Sequence, residues 1–261
     1  MKKHEEGFSM PLAAPAYEGP PYWGRPEGDL LVVFYYTDKK ALEWEVPEPM
    51  ELAPDPMIIA WIGDLSQPRH TQKIYNEALT MIRVKYKEIT GWYVNYLWTT
   101  HDQSLMFCRE VYGWPAQLCD PDQKLRFDGS VIRGDCVRNG VRLMRIILNV
   151  TSPPPVKHED HLKDRFDKGL KDRFAELMGK DFIQFKKIPS MAEDRKPLRQ
   201  ISHHVEDATI HEIWRGTASV ELARSGYYPN LHRLNPTEIV DAFYVRSEWI
   251  VPYATILWEE V

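Results

Sequence analysis

Cysteine is scarce in this 261-residue chain: Cys108, Cys119 and Cys136 are its only thiols. Three irregularly spaced cysteines build neither a disulfide framework nor a four-ligand zinc site, so a reducing cytoplasm is the simplest compartment. No stretch approaches the length of a membrane-spanning helix, and the N-terminal "MKKHEEGFSMPLAAPAYEGPPY" lacks the apolar core of a secretory signal. A basic excess is missing too. The formal net charge is −5 and every Lys/Arg run is interleaved with acids, which argues against nucleic acid as a partner. HExxH, Walker, dinucleotide-glycine and GxSxG motifs are all absent, so neither a metal nor a cofactor is expected.

What the chain has in quantity is aromatic residues, 12% of the total with nine Trp and thirteen Tyr. They fall in strand-like runs, which predicts a β-rich core or an aromatic-lined cavity. "LLVVFYY" (30–36), "MIIAWIGD" (57–64), "WYVNYLWTT" (92–100) and "SLMFCREVYG" (104–113) read as strands, the last two joined through His101 to Gln103. "TDKKALEWEV" reads as a short helix with Thr37 as its N-cap. Asn139-Gly140, between 130–138 and 141–150, predicts a type I′ hairpin. Residues 156–180 break the β pattern: Phe166, Leu170, Phe174 and Leu177 recur at helical spacing, as on an amphipathic surface helix. Strand-like runs then continue through 182–188, 208–222 and 238–259 with no internal repeat. The expectation is one α+β domain over 1–261, mostly antiparallel β, with helices outside.

Histidine is the usual place to look for chemistry. His203 and His204 are adjacent and point to opposite faces of a strand, while His158 and His161 lie on the charged surface helix. His101 falls at the tip of a strand connection beside the loop "CREVYGWPAQLCDP" (108–121) and stays a candidate. Among the acids, Tyr75 and Glu77 of "YNEA" share a face if extended, and Glu110 adjoins Arg109. A carboxyl beside Arg stays ionised, whereas one among aromatics has its pKa raised and becomes a usable acid or base. Spacing alone favours an Arg109–Glu110 ion pair that braces the loop.

The ordered set "SMPLAAPAY", "GPPY", "YYTD", "VPEPMEL", "YNEA", "CREVYGWPAQL", "VEDATIHEIWRGTASVEL" and "IVPYATILWE" resembles the acetoacetate decarboxylase superfamily from Ser9 to Glu259, with 156–180 fitting least. The resemblance implies a cone-like antiparallel β-barrel with peripheral helices, an apolar cavity and an oligomer of two or more copies. In that family the loop runs Gly-Arg-Glu, then an aromatic and Pro, then two lysines, the first of which forms a Schiff base with a β-keto acid. Here Arg109, Glu110 and Pro115 match and Cys108 takes the place of the Gly. The two lysine positions fall on Ala116 and Gln117. The family's carboxylate-binding arginine aligns near Gly28, with Arg25 the nearest replacement; an acidic cavity position becomes Trp61, and the acid of "YNEA" is kept as Glu77.

Imine chemistry at the usual place is excluded, since neither Ala nor a Gln amide condenses with a carbonyl. The resemblance then implies a lyase without a Schiff base, acting on a hydrophobic or aromatic small organic acid that supplies its own electron sink. Glu77 or Tyr75 is the expected acid/base, with Glu110 a further candidate carboxylate. Arg25 or Arg109 would anchor the substrate carboxylate, and Gln117 would hydrogen-bond a developing oxyanion. Trp61, His101, Trp114 and Ala116 are the expected lining. With Trp61 in place of a charge, the Glu77 pKa should rise toward neutrality. The alternative is a catalytically silent binding protein that keeps the cavity.

Overall fold

Alternating burial along β-branched and aromatic runs makes most of this chain strand, as the computed structural model displays over its described residues, 8–11, 13–17, 27–67, 72–151 and 160–260. The first half holds β1 (Glu27–Tyr36), α1 (Lys39–Glu45), β2 (Glu51–Leu52), β3 (Ile58–Gln67), β4 (Gln72–Tyr86) and β5 (Ile89–Thr99). Next come α2 (Asp102–Phe107), a π-helical turn (Cys108–Tyr112) and β6 (Ala116–Leu118). β7 (Arg126–Asp128), β8 (Val131–Arg138), β9 (Val141–Val150) and α3 (Asp160–Met178) follow. The chain ends with β10 (Asp181–Ile188), β11 (Leu198–Val205), β12 (Asp207–Leu222), β13 (Glu238–Ile250) and β14 (Thr255–Glu260).

The strands form one sheet in the order β14-β11-β10-β5-β4-β3-β1-β13-β12-β9-β8-β7, with β2 beside β4 and β6 beside β5. Only β5–β6 and β5–β10 pair in parallel among the described residues. The pairing path does not close on itself, but the sheet curls enough for Ile62 of β3 to meet the backbone of Gly134 on β8. That curl is compatible with a cone-like barrel. Two cores result, one on each face of the central strands. The face enclosed by the curl, here the core face, carries Leu31, Val33, Tyr35, Ile58, Ala78, Ile82 and Trp98, packed on Met144, Ile146 and Leu148 of β9. The opposite, helix face carries Leu30, Val32, Phe34, Ile59, Leu65 and Leu79, under Leu170, Phe174 and Leu177 of α3.

Three buried side chains at helical spacing therefore seat α3, each contributing about 1.5–3 kcal/mol of apolar burial. Phe174 packs edge-on against Phe34 and Phe243, at 5.9 and 5.5 Å between ring centres. The β8–β9 turn matches its sequence signal, with Asn139 and Gly140 at φ 50° and 74°. The expected cap of α1 does not: Asp38 accepts from the Lys40 N–H, and Thr37 instead donates its hydroxyl to the Asn235 carbonyl at 2.7 Å. The larger correction is 104–113, expected as a strand and found as α2 plus the π turn. His101 caps α2 by accepting the Ser104 N–H on Nδ1, so it is no hairpin tip. Ser104, Phe107, Cys108 and Tyr112 are buried at spacings of three and four, a helical period inside a run that reads as continuously apolar. No helix among the described residues is long and apolar enough to cross a membrane.

Candidate active site

Register fixes which side chains meet. On β4, Glu77 lies opposite Gly63 of β3 and Thr99 of β5, and Tyr75 and Leu79 flank it on the helix face. Side chains directly across a strand pair share a face, so Trp61, Gly63 and Leu65 stand beside Leu79, Glu77 and Tyr75. β6 adds Ala116 next to Leu97 on that face, fully buried. Its neighbour Gln117 pairs with Trp98 and points to the core face, where it accepts the Tyr228 hydroxyl at 2.6 Å. Positions 116 and 117 therefore open onto different compartments.

Glu77 is 7% exposed and accepts one hydrogen bond, from Ser104 Oγ at 2.7 Å. Burial pushes its pKa up to about 7, and the Ser104 donor opposes that only in part. Among the described residues no cation acts on it: desolvation and the Ser104 hydroxyl set its pKa. Ser104 Oγ also lies 3.8 Å from Cys108 Sγ, one α-helical turn on. Burial and the nearby Glu77 charge hold the Cys108 thiol well above its usual range, so it stays protonated and is a poor nucleophile. The rest of the cluster is aromatic. Trp61 and Trp249 pack edge-to-face at 5.9 Å, and the Trp61 Nε1 is buried without a partner among the described residues. A Cβ at Gly28 would collide with Leu65 and press on Trp249, so apolar groups fill the space where the family's arginine aligns.

Of the residues expected at a site, Glu77, Tyr75, Trp61 and Ala116 gather here. His101 joins them at one side, its ring 5.3 Å from that of Tyr75, and burial lowers its pKa. Trp114 is a brace: it stacks on Tyr112 at 4.9 Å, and its Nε1 donates to the Gln184 side-chain oxygen at 3.1 Å. Arg109 and Glu110 are exposed on the back of the loop, and no ion pair among the described residues joins them. Arg109 Nη1 donates to the Ala116 carbonyl at 3.3 Å, while Glu110 accepts the Tyr17 hydroxyl and its carbonyl accepts Lys186 Nζ. Both hold the loop from outside. Arg25 lies outside the described residues. The strand histidines point apart as expected, His203 to Asp181 and His204 to Glu206.

Ser104 and Trp249 are the functional candidates that sequence reading passed over. Ser104 became visible only when 104–113 proved helical, since in a strand it would not face Glu77. Trp249 reaches the cluster because β13 pairs with β1 on the side away from β3. Among the described residues no three His, Cys, Asp or Glu side chains gather as a metal site. The open clefts of the described surface lie elsewhere; one of about 570 Å³ between α1 and β2 is bordered by Lys39, Glu43, Pro49 and Leu52 and exposes no buried polar group.

The acetoacetate decarboxylase family model matches residues 9–261. An acetoacetate decarboxylase of Acidiphilium cryptum is 28% identical over 94% of this chain and 91% of its own. Acetoacetate decarboxylase 3 of Mesorhizobium japonicum is 25% identical, over 94% and 88%. Among solved structures, one of an acetoacetate decarboxylase superposes with a TM-score of 0.76 at 22% identity, covering 98% of this chain and 97% of that one. An acetoacetate decarboxylase-like enzyme from Sphingomonas wittichii gives 0.73 at 17% identity, covering 97% and 100%. At those identities the superpositions speak to the fold.

Proposed function

Since the chain belongs to the acetoacetate decarboxylase family, we propose that it is a lyase of that family which has exchanged the imine for acid/base chemistry at Glu77. One observation carries this reading. A buried carboxyl with a pKa of about 7 stands on the face where Ala116 replaces the amine. Such a group is divided between acid and base near neutral pH, which is where general acid–base catalysis is most effective.

The substrate is a hydrophobic or aromatic small organic acid with a carbonyl or a para-hydroxyaryl group conjugated to the breaking bond. With a carbonyl as the sink, the bond to the carboxyl group breaks, carbon dioxide leaves, the electron pair passes onto the carbonyl oxygen as an enolate, and the Glu77 carboxyl then delivers its proton to the carbon left behind. With a 4-hydroxyaryl vinylic acid the order is reversed: Glu77 protonates the carbon that bears the carboxyl group as the phenol gives its proton to solvent, and the quinone methide oxygen so formed takes the electron pair when carbon dioxide leaves. In both cases Glu77 regains a proton from solvent. Ser104 holds the carboxyl in place throughout by its hydrogen bond. Leu65, Trp61 and Trp249 keep water from the reacting carbon and favour a flat, apolar body. Arg109 and Glu110 contribute by keeping β6 in register rather than by touching substrate.

The test is a panel of β-keto, aryl-keto and 4-hydroxyaryl acids, followed by carbon dioxide release, with borohydride added in parallel. Turnover of at least one acid with no reduced adduct on the protein is the expected result. A borohydride-trapped adduct on any lysine, Lys85 for instance, would refute the imine-free mechanism. Binding of several acids with turnover of none would make the chain a binding protein, which the loss of the nucleophile also fits.

A further inference from the structure

A reaction that drives an electron pair onto a substrate oxygen needs a hydrogen-bond donor waiting there. Gln117 is not that donor, because its amide lies on the core face against Tyr228. The Glu77 side has another. Trp61 Nε1 is a buried N–H that bonds nothing among the described residues; Trp98 Nε1 and the Tyr35 hydroxyl share that state on the core face, and what sets Trp61 apart is its place on the face of Glu77. Its place is defined by two contacts. The ring is held edge-on by Trp249, and Nε1 lies 3.4 Å from the point that a Cβ on Gly63 would occupy. Gly63 is the residue directly opposite Glu77, which places the nitrogen, shut away from solvent, beside the strand position that faces that carboxyl. A Cβ there would also strike Leu30 at 2.5 Å, which holds the position to glycine for as long as Leu30 keeps its place.

Among the described residues the donors of this cluster are neutral: an indole N–H, the Ser104 hydroxyl and the protonated form of Glu77, with the Tyr75 hydroxyl and the His101 ring, its pKa lowered by burial, at one side. Beside Trp61 a localised carboxylate that stays put loses too much hydration to be held by such groups without a cation, whereas a substrate's own carboxylate is relieved of that loss as it leaves as uncharged carbon dioxide. An oxyanion whose charge spreads over a ring or an enone loses far less, and flat aromatic walls suit its shape. We propose that Trp61 Nε1–H is the oxyanion donor of this site, and that the site is built for ligands whose reacting oxygen carries delocalised charge, enolates and phenolates. This rests on the reading of the Glu77 face as the active site, but it is a statement about binding and can be tested without turnover. It also sets the orientation of a substrate: the conjugated oxygen toward Trp61, the carbon that receives the proton toward Glu77.

The experiment compares 4-nitrophenol, benzoate and nitrobenzene as probes near neutral pH, on the whole protein and on Trp61→Phe. Phenolate binding is read from its visible absorbance, and the indole N–H from the nitrogen-15 spectrum, in which the Trp61 signal is the one missing from the variant. The unaltered protein should bind the phenolate more tightly than benzoate, with the Trp61 N–H resonance moved downfield. Trp61→Phe should weaken phenolate binding about 10- to 100-fold, as expected for a hydrogen bond to charge, and leave nitrobenzene within about twofold. Equal phenolate affinity in the variant, or tighter benzoate than phenolate binding, would overturn the assignment. Should Trp61→Phe not fold, Trp61→Tyr identifies the signal, and an unmoved indole resonance at saturating phenolate overturns it alone. Failure to turn over any acid would count against the lyase reading and leave this one standing.

Discussion

Glu77 is shut into the helix face and Glu45 lies half-buried against the core face of the same strands, and burial raises the pKa of both. Their companions differ. Glu45, at the end of α1, accepts from the Tyr96 hydroxyl at 3.1 Å and the Asn95 amide at 3.4 Å, and Asn95 is itself held by Thr80 at 2.7 Å. Each donor stabilises the ionised form and offsets desolvation. Glu77 has Ser104 alone, in an apolar row with two tryptophans, and its pKa rises to about 7. Burial by itself therefore does not mark a reactive acid here. A buried acid short of donors does, and the core-face carboxyl reads as a fixture tying α1 to β5.

The sharpest way to break that contrast is to neutralise each acid in turn. Glu77→Gln should lower turnover about 10²- to 10⁴-fold without lowering the melting temperature, whereas Glu45→Gln should leave turnover within a few-fold and cost stability instead. Steady-state kinetics and thermal melts on both variants decide it, and equal kinetic losses would erase the distinction.

The next contrast lies in pH. A carboxyl whose folded pKa is raised binds its proton more tightly folded than unfolded, so stability falls as pH rises through the window between the two values. For Glu77 that window runs from the usual 4.5 to about 7, and the whole effect is of order 3 kcal/mol. Glu77→Gln should accordingly be more stable than the parent above pH 7, with the advantage fading toward pH 4.5. Denaturant midpoints across pH 4–8 measure this, and a flat difference would mean that Glu77 is not desolvated.

The smallest effect concerns positions 116 and 117. Ala116→Lys places an amine on the Glu77 face and should form a borohydride-trapped adduct with acetylacetone, at a packing cost of about 1–3 kcal/mol. Gln117→Lys, on the core face, should form none. An adduct at position 117 and not at 116 would reverse the assignment of faces.

Much of the fold is legible in the sequence because it rests on local chemistry. Asn139-Gly140 suits positive φ, β1 and β3 hold apolar runs rich in β-branched and aromatic residues, and α3 repeats its apolar residues at helical spacing. What escapes is decided at longer range. The stretch 104–113 has strand-like composition, and it is helical because His101 caps it and Gly113, at φ 79°, ends it. Glu77 could be singled out as a raised-pKa acid from the company it keeps. Gln117 could not be dismissed until β6 was known to be a strand, since only alternation turns it away from Ala116. Ser104 and Trp249 are brought to Glu77 by a helix cap and by a β-pairing more than 200 residues apart in sequence, which no local pattern records.

Strand β6 is three residues long and begins just after Gly113-Trp114-Pro115. Because its side chains alternate, the group offered to Glu77 is a matter of odd or even count along the loop. A point substitution at 116 changes the chemistry of that compartment, while one at 117 changes the other compartment and leaves the first untouched. A one-residue deletion between 113 and 115 would shift the register, delivering the Gln117 amide to Glu77 and putting Leu118 in its former place beside Tyr228. Two independent mutational routes to new reactivity thus pass through a segment short enough to be rewritten without disturbing the strands on either side.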